Sequence, residues 1–179
     1  MSRLVLLLLF AAFAGSGAHA QATYWRVAPP NVSHANLPQR LLTAHNVERA
    51  AWRLPPLAWD PHLAAAAAAY ARSLAPTGVL RHSARSARPG QGENLWLGTR
   101  GIFSPEQMVA TWVSERRYFR PGIFPNVASN GNWASVGHYS QIVWPTTTRL
   151  GCALAAGHGN DVLVCRYSPA GNIDGRRLP

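Results

Sequence analysis

Residues 137–144 read Gly-His-Tyr-Ser-Gln-Ile-Val-Trp, and this stretch is the most informative part of the sequence. Its second half, Ser140 to Trp144, is predicted to be a β-strand. Because residues two apart share a face of a strand, we expect Ser140 and His138 to lie side by side. That arrangement makes Ser140 a candidate nucleophile. The alternative is a serine that only donates hydrogen bonds in the lining of a cleft.

The first twenty residues predict a secretory signal peptide. Arg3 precedes an apolar run over residues 4–14, and Ala18-His19-Ala20 is a small-x-small cleavage sequence. The run is too short to cross a bilayer as a helix. We therefore expect cleavage near Ala20 and a secreted or periplasmic protein, with an extended arm over 21–37 and one domain over 38–179.

The charge of the chain is strongly basic. All 17 basic residues are arginine, against 7 acidic residues, and removal of Arg3 with the signal peptide lowers the net charge from +10 to +9. Such a charge favours anionic membranes or polyanions as partners. The arginines are scattered rather than clustered, however, so a solvated surface is the simpler interpretation and nucleic acid is not an expected partner.

The only two cysteines predict a disulfide. Cys152 and Cys165 lie symmetrically about His158-Gly159, between strands expected over 149–155 and 161–167. In a hairpin they would face each other, and an exported protein enters a compartment where disulfides persist. Closing a loop of this length would stabilise the fold by about 3 kcal/mol.

Three helices are predicted ahead of this hairpin. The first runs from about Pro38 to Trp52, and the second begins with Asp60 as its N-cap and ends before Pro76. The third starts at a capping box, Ser104 to Gln107, and extends to about Tyr118. A long surface loop follows over 120–135, and a short strand over 57–59 precedes the second helix.

Glu115 is the strongest physical indication of a site. On the third helix, Met108, Trp112 and Phe119 form an apolar stripe, and Glu115 occupies the position that completes its spacing. Burying an unpaired carboxylate is very costly. Glu115 must therefore find a hydrogen-bond donor, a cation or a water-filled cleft.

Four motifs in order carry a resemblance to a known family. Besides the blocks at 137–144 and 162–172, residues 44–49 read Ala-His-Asn-Val-Glu-Arg and residues 92–95 read Gly-Glu-Asn-Leu. Over about residues 38–174 the chain resembles the CAP superfamily of cysteine-rich secretory and pathogenesis-related proteins. The resemblance implies an α+β fold, a three-layer α-β-α sandwich with a central antiparallel sheet. We expect His45, Asn46 and Arg49 to be structural.

The resemblance also implies a site of two histidines and two glutamates. Matched motif by motif, these are His82, Glu93, Glu115 and His138. Two imidazoles and two carboxylates suit Zn²⁺ or another divalent cation. We do not expect any cofactor to be obligatory. The same residues could polarise water, with a glutamate as general base, which makes Glu93, Glu115, His138 and Ser140 the catalytic candidates. A hydrogen-bonded network that only holds the third helix against the sheet is the remaining alternative.

The sequence favours a binding protein over an enzyme but does not decide between them. By resemblance, we expect a secreted monomer that binds a lipid, a sterol or another small ligand, with Phe124 and Trp133 of the 120–135 loop as apolar contacts. The alternatives are a metal- or serine-dependent hydrolase or protease that uses the same cleft, and an envelope protein that interacts with anionic lipid. No His-Glu-x-x-His or Gly-x-Ser-x-Gly sequence supports hydrolysis.

Overall fold

The computed structural model describes residues 32–179, so the predicted signal peptide and most of the predicted arm lie outside the described residues. In chain order the elements are α1 (Leu37–Ala51), β1 (Ala58–Trp59), α2 (Pro61–Leu74), β2 (Gly92–Thr99), α3 (Pro105–Val113), β3 (Gly122–Ile123), α4 (Gly137–Ile142), β4 (Arg149–Gly157), β5 (Asn160–Ser168) and β6 (Arg177–Leu178). Short 3₁₀ helices lie at Ala75–Thr77, Arg85–Ala87, Ser114–Tyr118 and Trp133–Val136. No helix in residues 32–179 is both long and apolar enough to cross a membrane.

The starts of the helices follow their capping residues. Asp60 accepts hydrogen bonds from the backbone N–H groups of His62 and Leu63, which satisfies free donors in the first turn of α2. At α3, Ser104 and Gln107 form the predicted capping box in both directions. The second and third predicted helices therefore begin where the sequence indicated. The third changes to a 3₁₀ helix at Ser114 and ends at Tyr118.

The main sheet has four strands in the order β1-β4-β5-β2. Strand β5 pairs antiparallel with both β4 and β2, while β1 pairs parallel with β4. The sheet is therefore mixed, and the prediction of a wholly antiparallel sheet needs this correction. The reason is topological: α2, β2, α3 and α4 lie between β1 and β4 in the chain, and a connection of that length allows two neighbouring strands to run in the same direction.

The β4–β5 hairpin confirms the predicted disulfide. His158 and Gly159 form the two-residue turn, both with positive φ (51° and 76°), as a tight right-twisted hairpin requires. Cys152 and Cys165 are directly opposed in the register and are bonded to each other. The crosslink lies inside the sheet, where both cysteines are buried.

Helices cover both faces of the sheet, so the predicted three-layer sandwich is confirmed. On one face, α2 packs against β4 and β5, and a small apolar cluster extends to β2: Ala67, Ala71, Leu74, Ala75, Leu95, Val162 and Val164. The intervening residues Leu163 and Cys165 point to the other face and join the larger core, which includes Leu41 of α1 and Met108 of α3. Gly151 lets α2 lie close, because a Cβ there would come within 2.2 Å of the Ala64 nitrogen.

The predicted strand at Ser140–Trp144 is wrong. Residues 137–142 form helix α4 instead. Tyr139, Ile142 and Val143 are completely buried, and their spacing of three and four residues is the helical one. Strand β2 was not predicted from the sequence, because its polar residues Glu93 and Asn94 obscure the strand pattern.

Candidate functional site

A cavity of about 620 Å³ opens beside the start of β2. Three segments line it: residues 82–94, residues 124–141 and residues 170–174. It includes five of the residues selected from the sequence: His82, Glu93, Phe124, Trp133 and His138. A second cavity of about 470 Å³ lies next to Arg100 and Asp161 and contains none of them. The larger cavity is therefore the candidate site, and its size is typical of small-molecule pockets.

His82 and Glu93 form the first polar pair of the cavity. The His82 Nδ1 lies 2.7 Å from the Glu93 Oε1, and the Glu93 side chain is fully buried. Glu93 also accepts hydrogen bonds from the Ser83 backbone N–H (3.0 Å) and hydroxyl (2.9 Å), and the Arg166 Nη2 lies 3.1 Å from its Oε2. Burial opposes ionisation, but the hydrogen bonds and the Arg166 charge outweigh it, so the pKa of Glu93 lies below its ordinary value.

His138 and Glu115 form the second pair. The His138 Nδ1 lies 2.6 Å from the Glu115 Oε1. The other carboxylate oxygen accepts the backbone N–H groups of His138 (2.9 Å) and Tyr139 (3.0 Å), so Glu115 satisfies free donors in the first turn of α4. The Glu115 carboxylate therefore has the hydrogen-bond donors that its place on the apolar stripe of the third helix called for. The indole of Trp112 stacks on the His138 ring, with centroids 5.9 Å apart and planes 14° apart.

The two pairs leave equivalent atoms for a ligand. In each pair the carboxylate engages Nδ1, which favours the tautomer with the proton on Nδ1 and leaves Nε2 as an acceptor. Glutamates that hold histidines in this way are typical outer partners of metal-binding imidazoles. Within residues 32–179, however, no group of three or more His, Cys, Asp or Glu side chains is arranged to hold a metal. The atoms available to a metal are therefore the Nε2 atoms of two imidazoles, while each glutamate is bound to the Nδ1 of its histidine.

Ser140 does not have the surroundings of a nucleophile. It is completely buried, and its hydroxyl donates to the Asn172 Oδ1 (2.7 Å) and the Gly137 carbonyl (3.2 Å). Its expected position beside His138 depended on a strand, and residues two apart on a helix do not face each other. In the structure, the hydrogen bond from Ser140 to Asn172 ties α4 to the segment that follows β5.

A buried network that the sequence analysis missed positions His138. The Asn94 Nδ2 donates to the His138 carbonyl (3.1 Å) and to the Tyr167 hydroxyl (3.0 Å). The Tyr167 hydroxyl in turn lies 2.8 Å from the His45 Nε2, while the His45 Nδ1 lies 2.7 Å from the Leu41 carbonyl. The Gly-Glu-Asn motif at 92–94 marked Asn94 as a residue of interest. Its partners could not be read from the sequence, because His138 and Tyr167 lie far from it along the chain.

Burial shifts the ionisation of the two structural residues on α1. Burial is the main cause that lowers the pKa of His45 to about 4, so this imidazole is neutral at pH 7. It also lowers the pKa of Arg49 to about 10. Arg49 donates to four backbone carbonyls, those of Pro55, Ile142, Trp144 and Thr147. It therefore ties α1 to the segment that follows α4, as a structural role predicts.

Phe124 and Trp133 contact each other at the edge of the cavity. Their ring centroids are 5.4 Å apart with an interplanar angle of 63°. Phe124 is almost completely buried in the core, whereas Trp133 has 46% of its surface exposed. Of the two predicted apolar contacts, Trp133 is therefore the accessible one.

One family model matches most of the described chain. The model of the cysteine-rich secretory protein family, CAP, matches residues 42–167. The chain belongs to the CAP family. The match covers the segment from α1 to β5 and includes all four histidines and glutamates of the site.

The similar proteins include plant pathogenesis-related proteins. A PR-1 type protein of Sambucus nigra is 38% identical over 79% of this chain and 81% of its own length. Pathogenesis-related protein 1C of Nicotiana tabacum is 36% identical over 81% of this chain and 84% of its own length. Among solved structures, NaASP2 with Zn²⁺ has a TM-score of 0.67 and 27% identity, covering 78% of this chain and 83% of that one.

Proposed function

We propose that this CAP protein is secreted and acts by binding a small ligand in the cavity, with a divalent cation such as Zn²⁺ bound by His82 and His138. The observation that carries the proposal is the repeated geometry of the two pairs. Each histidine lines the same cavity, and each is held at Nδ1 by a glutamate. Two separately built His–carboxylate pairs at one cavity are more than a structural network needs.

The cation would supply a positive charge and open coordination positions for a ligand. The protein's own part is to hold the two imidazoles in the tautomer that presents Nε2. Glu93 and Glu115 do this on the Nδ1 side of each ring. Both carboxylates are held in place themselves, because their oxygens already accept hydrogen bonds from Ser83, His138 and Tyr139. The solved structure of the similar protein NaASP2 with Zn²⁺ supports the choice of metal.

The contacts of Ser140 favour binding over serine-dependent hydrolysis. Its hydroxyl donates to Asn172 and Gly137, away from either His–Glu pair. Secretion is supported by the predicted signal peptide and by the secretory character of the family. An apolar part of the ligand, such as a lipid chain or a sterol, is supported by Trp133 and Ile173 at the cavity, both 46% exposed.

Zinc titration by isothermal calorimetry tests the proposal. We expect the wild-type protein to bind one Zn²⁺, and the double variant His82→Ala, His138→Ala to bind it about tenfold more weakly or worse. His62→Ala is the matched control, since His62 is exposed on α2 and does not line the cavity. Unchanged zinc affinity in the double variant, or equal loss in the control, would contradict the proposal.

A further inference from the structure

Arg88 presents a fixed positive charge to the cavity. Its Nε donates to the Ser83 carbonyl (3.3 Å) and its Nη1 to the Gln91 carbonyl (2.7 Å), and only 14% of the side chain is exposed. A guanidinium held by two backbone carbonyls has lost most of its conformational freedom before any ligand binds. These two bonds use Nε and one N–H of Nη1, so within residues 32–179 Nη2 and the second N–H of Nη1 are left to donate to a ligand, and Arg88 lines the cavity.

Glu93 does not cancel this charge. The Glu93 carboxylate lies 3.8 Å from the Arg88 Nε, but the buried Arg166 lies closer, at 3.1 Å. Arg166 therefore balances Glu93. Two further nitrogens of Arg166, Nε and Nη1, have no hydrogen-bond partner among residues 32–179, and with Arg166 paired to Glu93 the charge of Arg88 is left for a ligand.

The segment 82–91 is consequently a basic wall. Arg85 lines the cavity with Arg88, and both precede β2 on the same loop. The other charged acid of the lining, Asp174, belongs to a different segment near the C-terminus and is exposed. An anion at Arg88 would therefore face two arginines on this wall, and a planar guanidinium fork matches the geometry of an oxyanion.

The remaining lining has the opposite character. Phe124, Pro125, Trp133 and Ile173 come from the segments 124–134 and 170–174 and supply an apolar surface. The cavity thus combines a positive wall and an apolar wall, which no neutral sterol or simple inorganic ion would use fully.

From these two walls we infer that the ligand of the cavity is a small organic anion, with its oxyanion head on Arg88 and its apolar or aromatic body against Trp133. The inference rests on the proposal that this cavity is the binding site and specifies the class of ligand. It assigns to Arg88 a direct contact with the ligand, independent of the two histidines.

Three matched probes test the inference in calorimetry or ligand-observed saturation-transfer NMR. They are 3-phenylpropanoate, its neutral amide, and propanoate, which lacks the ring. We expect the aromatic acid to bind about tenfold or more tighter than either of the others, because only it uses both walls. A phosphate monoester of the same skeleton identifies the preferred oxyanion, and tighter binding of either oxyanion than of the amide supports the inference.

Arg88→Gln should reduce the affinity for the aromatic acid about tenfold and leave that for the amide unchanged. Arg72→Gln, an exposed arginine on α2, is the matched control and should alter neither. Circular dichroism establishes that both variants are folded. Wild-type affinity for the amide equal to that for both oxyanions, or an affinity for the preferred oxyanion that Arg88→Gln does not change, would overturn the inference. Zinc titration of the same samples separates the two ideas, since zinc binding with no preference for the acid leaves the proposed function intact.

Discussion

The Asn94 side chain donates a hydrogen bond to the backbone carbonyl of His138, with the two atoms 3.1 Å apart. Asn94 lies on β2 and His138 in the first turn of α4, so the bond joins the sheet to the helix that carries one imidazole of the site. The same amide nitrogen donates to Tyr167. A single buried amide thus fixes the position of His138 relative to the strand that carries Glu93.

Asn94→Ala should therefore weaken both the fold and the site. The substitution leaves the His138 carbonyl without its side-chain donor and removes a partner of the buried Tyr167 hydroxyl. Loss of partners for buried polar groups costs about 1–3 kcal/mol, measurable by urea unfolding. We also expect zinc affinity to fall several-fold, because His138 is no longer held. Asn126→Ala, at an exposed position of the 120–135 loop, is the control. A stability loss with unchanged zinc binding would show that Asn94 does not position His138.

The hairpin and the helix starts were predictable because each depends on a local signal. Asp60 before Pro61 specifies a helix start, and two cysteines equally distant from His158-Gly159 specify a pairing across a turn. The order and spacing of the motifs added the three-layer fold by resemblance.

Features that depend on distant contacts were not predictable. Helix α4 is only six residues long, and its apolar pattern is also compatible with a strand. The parallel pairing of β1 with β4 joins strands that are far apart in sequence. The link from His45 through Tyr167 to Asn94 joins residues far apart in sequence. In the site, the types of residue indicated a carboxylate–imidazole cluster, but not its division into two pairs.

The stability of the protein should fall between about pH 6.5 and pH 4 because of His45. Burial lowers the pKa of His45 to about 4, so the unfolded chain takes up a proton in this range and the folded protein does not. The expected loss from this group is about 3 kcal/mol as pH decreases, with full stability above pH 6.5.

Urea unfolding across this pH range checks that expectation when the wild type is compared with His45→Gln, which has no titrating imidazole. The variant should show a correspondingly smaller dependence on pH, even if it is less stable overall. Glu93 contributes in both proteins, and because its pKa is lowered, its share is lost only at more acid pH. Identical pH dependence in the two proteins would refute the assignment to His45.

Reduction of the Cys152–Cys165 disulfide should destabilise the protein by about 3 kcal/mol, because the crosslink joins residues with a sequence separation of 13 and so restricts the unfolded chain. The measurement is urea unfolding with and without a reducing agent. The double variant Cys152→Ala, Cys165→Ala should resemble the reduced wild type and show no response to the reductant. A response in the double variant would mean that the reductant acts elsewhere.

Glu115→Gln tests whether a glutamate acts on the ligand through its histidine. The glutamine keeps the size of the side chain but places an NH₂ group where a carboxylate oxygen now accepts hydrogen bonds from the His138 Nδ1 or from two backbone N–H groups. The preferred tautomer of His138 is then lost, and we expect zinc affinity to fall about tenfold. Nitrogen NMR of the imidazoles should report the tautomer change directly, which a purely structural role would not produce. Glu106→Gln is the control, because Glu106 pairs with Arg40 on the exposed surface near the start of α3. If Glu115→Gln and Glu106→Gln bind zinc equally well, the carboxylate behind His138 serves only to hold α4 in place.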